Sequence, residues 1–153
     1  MLIVCPYYNK PTQQGIYLHY KAIAEEGGLP VVIYSIAGRS VVNITPDTIA
    51  KLVQLPNIAA VKEASGSLNQ MSEIVAACGE RVPVLSGDDG LALPLMAVGG
   101  KGVISVASNI VPREMADLVA AGLAGDFVKG RQIHHRLLPL FKALFTDRKS
   151  KRL

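Results

Sequence analysis

Residues 57–80 read NIAAVKEASGSLNQMSEIVAACGE, a short apolar run followed by a capped helical segment. The apolar residues of Ile58–Val61 follow one another without alternation, which predicts a strand that is buried on both faces of a parallel sheet. Ser67 is placed to cap a helix over Leu68–Ala77, and Gly79 lies just after the last turn as a stop signal. The stretch therefore predicts one strand–helix (βα) unit.

The same order of strand and helix recurs on both sides of this stretch. Threonine or proline opens most of the other helical segments, and glycine marks the end of several of them. The predicted strands are Leu2–Cys5, Pro30–Tyr34, Ile58–Val61, Val82–Leu85 and Gly102–Val106. The predicted helices are Gln13–Glu26, Asp47–Gln54, Leu68–Ala77, Arg113–Leu123 and a final long helix through Phe145.

Five βα units and an additional C-terminal helix fit two α/β architectures. A doubly wound parallel sheet is usual for a chain of about 150 residues. The alternative is part of a (β/α)8 TIM barrel, which usually needs about 250 residues. Periodicity does not separate the two. The Gly-rich phosphate-binding patterns that would favour nucleotide binding are absent from the sequence.

Composition restricts the class of protein. Half of the 153 residues are hydrophobic and 18% are charged, which predicts one globular domain and excludes a disordered chain. The longest apolar stretch, 91–107, is interrupted at positions 99–102, so we expect no membrane span. The N-terminus lacks the basic residues of a signal peptide. Cys5 and Cys78 are isolated, as expected of reduced thiols in a cytoplasmic protein.

The net charge of +4 is concentrated at the C-terminus. The last seven residues, DRKSKRL, hold four basic side chains against one acidic one. We therefore divide the chain into a domain over residues 1–146 and a basic tail over 147–153. The body of the chain is nearly neutral and offers no face that could follow phosphates, so we expect no nucleic-acid partner.

Functional groups in both architectures collect at the carboxyl ends of the strands. The residues at or just after the carboxyl ends of the five predicted strands are Tyr7, Tyr8 and Asn9; Tyr34, Ser35 and Arg39; Lys62 and Glu63; Ser86, Gly87, Asp88 and Asp89; and Ser105–Asn109. His134 and His135 fall on the last helix, away from these ends, and are expected at the surface.

Lys62 is the unusual residue because it continues an apolar strand without a break. Burial disfavours the charged form of a lysine and makes its free amine available as a nucleophile toward carbonyl groups. The alternative is a lysine that extends to water or pairs with Glu63.

The neighbouring candidates also have two interpretations each. Tyr34 could relay protons to a substrate on Lys62 or could be an aromatic residue at the core edge. Arg39 could bind a carboxylate or remain solvated. The SGDD run over 86–89 could contribute to a metal site, but a turn with helix-capping aspartates suits it better, so we expect no metal.

Several motifs occur together in one order: PYYNKPTQQGIYLHYKAIA, VIYSIAGRS, VKEASGSL and LSGDDGLALPLMAVGGKGVISVASN. They closely resemble the dihydrodipicolinate synthase family of the N-acetylneuraminate lyase superfamily, from residue 2 to about residue 145. The resemblance implies a partial TIM barrel, corresponding to the C-terminal five-eighths of the family's barrel. It implies a cytoplasmic lyase that condenses pyruvate with aspartate semialdehyde in lysine and diaminopimelate biosynthesis.

The resemblance also implies a role for individual residues. It makes Lys62 the Schiff-base lysine and Tyr34 the proton-relay phenol, without any cofactor beyond the covalent pyruvate imine. Tyr8 corresponds to a tyrosine that completes a neighbour's relay across a dimer interface, so a homo-oligomer is implied. Arg39 would bind the semialdehyde carboxylate. Backbone carbonyls would face the substrate at Gly87 and Ile104.

The sequence departs from the family pattern at three places. Ser35-Ile36-Ala37 stands where the family usually has Asn-Val-Pro, and Tyr7 alone matches the lysine feedback site. DRKSKRL replaces the family's continuation. The first three βα units are absent, together with a threonine-containing loop that belongs to the relay and the pyruvate site. Five strands would leave two open edges, at Leu2–Cys5 and Gly102–Val106, which a second copy or another chain would pair.

Three functions therefore stay open. The chain could be a dihydrodipicolinate synthase-like lyase, and the presence of Lys62, Tyr34, Tyr8 and Arg39 favours this function. It could be a non-catalytic remnant, or a subunit that needs a chain with the missing strands. It could also be a related pyruvate aldolase of the N-acetylneuraminate lyase type.

Overall fold

The computed structural model describes residues 1–146 and shows one parallel sheet. Each predicted strand is confirmed, with small changes at its ends. The fifth ends earlier than predicted because both Val106 and Ala107 donate their backbone N–H groups to the Asp89 carboxylate, which turns the chain away from the sheet. The strands are β1 Leu2–Val4, β2 Val31–Ser35, β3 Ile58–Glu63, β4 Val84–Ser86 and β5 Gly102–Val103.

The longer helices also lie where the sequence predicts them. Threonine or serine hydroxyls cap three of them, at Thr12, Thr45 and Ser67. Two short helices were not predicted, because four and six residues are too few to show a periodic pattern. The α-helices are α1 Gln13–Glu26, α2 Ala37–Ser40, α3 Pro46–Leu52, α4 Leu68–Cys78, α5 Ala92–Ala97, α6 Pro112–Leu123 and α7 Phe127–Ala143, with 3-10 turns at Asp89–Leu91 and Ala107–Asn109.

The order of the strands separates the two architectures that the sequence left open. Each strand pairs with its sequence neighbour, in the order β1-β2-β3-β4-β5, and every pairing is parallel. Right-handed crossovers in a constant direction put all connecting helices on one face of the sheet. A doubly wound sheet would reverse its order at a switch point. The chain is therefore a partial TIM barrel.

One face of the sheet packs against the helices and forms the main core. Ile33, Val61 and Val84 point to this face and are 0–3% exposed. A second cluster holds α6 and α7 against the turns after β4 and β5. The residues that cover the sheet from the helix side include Ile16, Tyr20, Ile49, Met71 and Ile74.

The other face is concave and only partly covered. The expectation of strands buried on both faces is wrong for this face: Leu2 is 47% exposed and Val4 39% exposed. A barrel interior is filled jointly by side chains from all of its strands, and five strands supply only part of them. The register places Val4, Tyr34, Lys62 and Leu85 in one row across this concave face.

Three smaller predictions concern the cysteines, membrane spans and the C-terminal tail. Cys5 and Cys78 are both free and buried, and burial raises the pKa of each thiol. Within residues 1–146, every helix is too short or too polar to cross a membrane. The proposed basic tail, 147–153, lies outside the described residues.

Candidate functional site

Lys62 lies near the carboxyl end of β3, on the concave face of the sheet. Its register partner on β2 is Tyr34, and its Nζ atom lies 3.8 Å from the centroid of the tyrosine ring. A lysine ammonium at this distance is attracted by the electrons of the ring face. The alternative pairing with Glu63 does not form, because successive side chains of a strand point to opposite faces. Lys62 is half-buried.

Gly87 supports the Lys62 side chain from the other side. A Cβ atom at this position would lie 3.0 Å from Lys62 Cε and 2.6 Å from Ala64 Cβ. The absence of a side chain therefore allows the aliphatic part of Lys62 to lie against the backbone after β4. Glycine permits such close approach. Tyr34, Lys62 and Gly87 thus form one contiguous group across three neighbouring strands.

A cavity of about 240 Å³ opens beside Tyr34, and its wall includes Tyr7 and Arg39. Arg39 is exposed on α2, and its side chain joins none of the ion pairs found within residues 1–146. Its guanidinium is therefore available to a carboxylate. Val41 ends the helix with a φ of +61°, a left-handed conformation that is unfavourable for a β-branched residue. The remaining lining residues are Val4, Ile36 and Ser40.

The last two predicted site residues, Ile104 and Tyr8, lie in different surroundings. Ile104 is half-buried, and its backbone N–H donates to Ser86 O over 2.8 Å, so it lies across from the residue before Gly87. Tyr8 is 89% exposed and does not line the cavity. Within the described chain, five of the six predicted residues thus lie at or beside the carboxyl ends of β2 to β5, and Tyr8, which follows β1, is exposed to solvent.

The SGDD run forms the predicted turn with capping aspartates. Asp88 Oδ1 accepts from the Gly90 N–H over 2.8 Å, and Ser86 Oγ donates to Asp88 O over 2.7 Å. Asp89 is 2% exposed, and its carboxylate accepts from the Val106 and Ala107 N–H groups at the start of the 3-10 turn Ala107–Asn109. Across residues 1–146, His, Cys, Asp and Glu side chains form no group of three that could hold a metal ion.

Glu63 is a buried group that the sequence analysis treated only as a partner for Lys62. It is fully buried on the helix-facing side of β3, and this burial raises the pKa of its carboxyl group. Hydrogen bonding by Ser65 and Gln70, and by the nearby Ser35 hydroxyl, opposes the increase in this pKa. The alternation of side chains along β3 was the signal that could have placed it, because a residue next to a concave-face lysine must face the helices.

The prediction that His134 and His135 are both surface residues is half wrong. His135 is exposed, but His134 is half-buried and its ring contacts Phe141 edge-on. Burial lowers the pKa of His134, and the neighbouring His135 adds to that effect. The cause is helical periodicity, because His134 shares a face of α7 with the buried residues Gly130, Leu137 and Phe141, which lie four positions before and three and seven positions after it.

Comparisons with known proteins identify what the chain resembles. Residues 1–152 match the profile of the dihydrodipicolinate synthetase family. The 4-hydroxy-tetrahydrodipicolinate synthase of Syntrophobacter fumaroxidans is 54% identical over 146 residues, which cover 95% of this chain and 50% of the relative. This chain therefore spans about half the length of the curated relatives that it matches.

Solved structures give the same result. The dihydrodipicolinate synthase from Aquifex aeolicus superposes with a TM-score of 0.92 at 52% identity, over 95% of this chain and 50% of that one. The chloride-inhibited dihydrodipicolinate synthase from Acinetobacter baumannii, complexed with pyruvate, has a TM-score of 0.92 at 40% identity and the same coverage. The strands and helices described above thus have close counterparts in half of each of these barrels.

Proposed function

The chain belongs to the dihydrodipicolinate synthetase family, and from this membership we propose that it is a Schiff-base-forming lyase, acting on pyruvate and aspartate semialdehyde in lysine and diaminopimelate biosynthesis. The observation that carries the proposal is the position of Lys62 between the Tyr34 ring and Gly87. Pyruvate is bound in the related Acinetobacter baumannii structure. The two free, buried thiols support a cytoplasmic location.

The chemistry begins at the amine of Lys62. The neutral amine adds to the ketone carbon of pyruvate, and loss of water gives an iminium ion. The iminium withdraws electrons, so that a proton leaves C3 and an enamine forms. The enamine carbon attacks the aldehyde carbon of the semialdehyde. The amino group of the semialdehyde then displaces Lys62 as the ring closes, which regenerates the free lysine. This sequence needs no cofactor other than the covalent imine.

Three neighbouring groups have roles in this proposal. Tyr34 moves protons to and from the oxygen atoms that form and leave; the close approach of its ring face to Lys62 Nζ supports this role by placing the phenol beside the lysine. Arg39 holds the carboxylate of the semialdehyde in the cavity that it shares with Tyr34. The backbone carbonyls of Gly87 and Ile104 face the substrate.

Tyr8 supports a proposal about assembly. An exposed aromatic side chain that does not line its own chain's cavity can complete the site of a second copy, as the family resemblance implies. We therefore propose a homo-oligomer in which Tyr8 enters the relay of a neighbour.

The uncovered concave face favours a second candidate, in which the chain is a subunit that needs further strands, or a non-catalytic remnant if none are supplied. β1 pairs only with β2 and β5 only with β4 in the described chain, so both edges offer unpaired backbone groups. An apolar groove of about 420 Å³ runs beside β1 and one of about 440 Å³ beside β5. Further βα units would bury both grooves.

Borohydride trapping with pyruvate tests the lyase proposal. We expect a reduced pyruvyl adduct on Lys62 in the peptide mass spectrum, absent in Lys62→Ala and retained in the surface control Lys101→Ala. Lys62→Ala should unfold at nearly the same urea concentration as the unmodified chain, since Lys62 is only half-buried. An adduct that persists in folded Lys62→Ala contradicts the assignment, and no adduct in the folded chain favours the non-catalytic candidate.

Two further measurements separate the alternatives. Pyruvate combined with different aldehydes distinguishes this lyase from an aldolase of the N-acetylneuraminate lyase type, and Arg39 predicts a preference for a short aldehyde that carries a carboxylate. Analytical ultracentrifugation tests the assembly. We expect association through the open edges, and a cooperative unfolding transition in a strictly monomeric dilute sample contradicts it.

A further inference from the structure

A fully buried carboxyl group lies directly behind the proposed Schiff-base lysine. Glu63 follows Lys62 in β3 and points to the opposite, helix-facing side of the sheet, where it is 0% exposed. An ionised carboxylate at such a position is costly unless a cation balances it. The two ion pairs within residues 1–146 lie at the surface, and neither includes Glu63. Its burial therefore favours the neutral acid.

The hydrogen bonds of Glu63 are also divided unequally between its two oxygen atoms. Oε1 accepts from the Ser65 backbone N–H over 2.7 Å and from Gln70 Nε2 over 3.5 Å. Oε2 is buried without a hydrogen-bond partner in the described chain, and so is the hydroxyl of Ser35. Ser35 is the register partner of Glu63 on β2. The Ser35 hydroxyl carries a proton of its own, so the two oxygen atoms can pair in either ionisation state of the carboxyl group. The neutral form is favoured by the burial of that group without a cation.

We propose that Glu63 is a positioning residue for Lys62, and that it acts as a neutral acid between Ser35 and the turn after β3. The carboxyl group is tied to the turn after β3 by the Ser65 N–H, and it lies on the same side of the sheet as the Ser35 hydroxyl of β2. This fixes the backbone of Lys62 and therefore the path of its side chain between Tyr34 and Gly87. The proposal rests on the proposed function, in which Lys62 is the nucleophile.

The same network extends toward Arg39. Gln70 and Asn43 exchange two amide hydrogen bonds, over 2.7 Å and 3.1 Å. Asn43 lies in the segment between α2 and α3, and its backbone carbonyl accepts from Gln13 Nε2 over 2.8 Å. Glu63 is thus connected, through two amide side chains, to the segment that comes after the helix of Arg39. The network therefore links the strand of Lys62 to the segment that follows the helix of Arg39.

The protonation of Glu63 has a measurable effect on stability. Its partners in the strand register are Ser35 and Ser86 and its hydrogen-bonding neighbours are Ser65 and Gln70, and none of these four side chains titrates in the relevant range. The native pKa of Glu63 is raised above the unfolded value of 4.5. The unfolded chain therefore releases this proton first, and the free energy of unfolding falls as the pH rises above 4.5. Glu63→Gln removes this decrease.

Four chains test the proposal: the unmodified protein, Glu63→Gln, Glu63→Ala and the exposed control Glu73→Gln, which removes the same charge. We expect Glu63→Ala to slow pyruvate trapping on Lys62 by about ten- to a hundredfold, as for a nucleophile displaced by about 1 Å. Glu63→Gln should stay within about tenfold of the unmodified rate, since an amide replaces the neutral acid at the cost of about one hydrogen bond. Glu73→Gln, at an exposed position, should leave trapping unchanged.

A second measurement does not use pyruvate. Amine acetylation, followed by peptide mass spectrometry, compares the labelling of Lys62 with that of exposed Lys101. We expect the ratio to change in Glu63→Ala and to be retained in Glu63→Gln. If the unmodified chain traps no pyruvate, the proposed function fails while this ratio still tests Glu63.

Three results overturn the inference. Trapping and acetylation in Glu63→Ala that match the unmodified chain show that Glu63 does not position Lys62. Free energies of unfolding that change in parallel with pH, in the unmodified chain and in Glu63→Gln, show that the acid is not neutral. If Glu63→Ala does not fold, Ser35→Ala replaces it, and unchanged trapping and labelling in that variant count against the proposal equally.

Discussion

Gly87→Ala provides a direct test of how Lys62 is held. The new Cβ atom would lie 2.6 Å from Ala64 Cβ and 3.0 Å from Lys62 Cε. Carbon atoms in ordinary contact are about 3.5–4.0 Å apart, so the first distance is about 1 Å too short. Lys62 Cε lies near the end of a flexible chain and can turn away. Ala64 Cβ is fixed to the backbone, so the turn after β3 must move.

The size of the expected effect is set by this contact. Adding one methyl group to a site that is already filled costs about 1–3 kcal/mol. A displacement of about 1 Å at the reacting amine lowers a rate by about a hundredfold. Alanine keeps the backbone carbonyl of Gly87. The loss of trapping would therefore come from the new Cβ atom and not from a lost contact between that carbonyl and the substrate.

The assay combines urea unfolding with borohydride trapping of pyruvate on Lys62. Gly38→Ala is the matched control, because a Cβ atom there meets nothing within 4 Å. We expect Gly87→Ala to lose both stability and adduct formation, while Gly38→Ala keeps both. A Gly87→Ala chain with unmodified stability and an unmodified trapping rate would refute the described packing of Lys62 against Gly87.

Two other predictions concern strain and burial. Val41 is 75% exposed and has a left-handed backbone conformation. That conformation costs about 1–2 kcal/mol for a residue with a Cβ, and Val41→Gly removes this cost. After the entropy cost of glycine, about 0.5–1 kcal/mol of net stabilisation remains, measured by urea unfolding; a loss of stability contradicts it. For Cys78, burial raises the pKa of the thiol from 9.0 to about 11. Stability should therefore fall as the pH rises from 9.0 to about 11, less steeply in Cys78→Ala, and an unchanged slope would show that this thiol does not contribute.

Local sequence signals predicted most of the regular structure. Helix α1 has the predicted bounds because a threonine cap opens it and two glycines come directly after it, and both signals act within a few residues. The end of β5 was predicted three residues too late. Val106 looks like a strand residue from its neighbours alone, but its N–H group bonds to Asp89, 17 residues away. The strand order likewise depends on contacts that no local pattern carries.

Part of the candidate site could also be predicted from the sequence, and part of it could not. Tyr34, Lys62 and Gly87 all stood among the residues at the predicted strand ends, and the family resemblance implied their roles. The register of the sheet brings the three together. Glu63 was not recognised as a separate feature. Its importance comes from full burial against α4 and from an oxygen atom without a partner in the described chain, and both depend on packing between distant segments.

The position of Lys62 and its reactivity therefore have different structural origins. Its position is fixed by groups within these five strands: the Tyr34 ring, the open space at Gly87 and, as we propose, Glu63 behind it. A nucleophilic lysine also needs to be shielded from water, since desolvation favours the neutral amine. The concave face that would provide the shielding is the one that this chain leaves partly exposed, with Val4 in the same row at 39%. If further strands or a second copy cover this face, adduct formation should increase with assembly while the contacts of Lys62 stay unchanged. Trapping measured on either side of the association equilibrium separates the two contributions, and equal rates in the monomer and the assembly would show that the five strands alone activate the lysine.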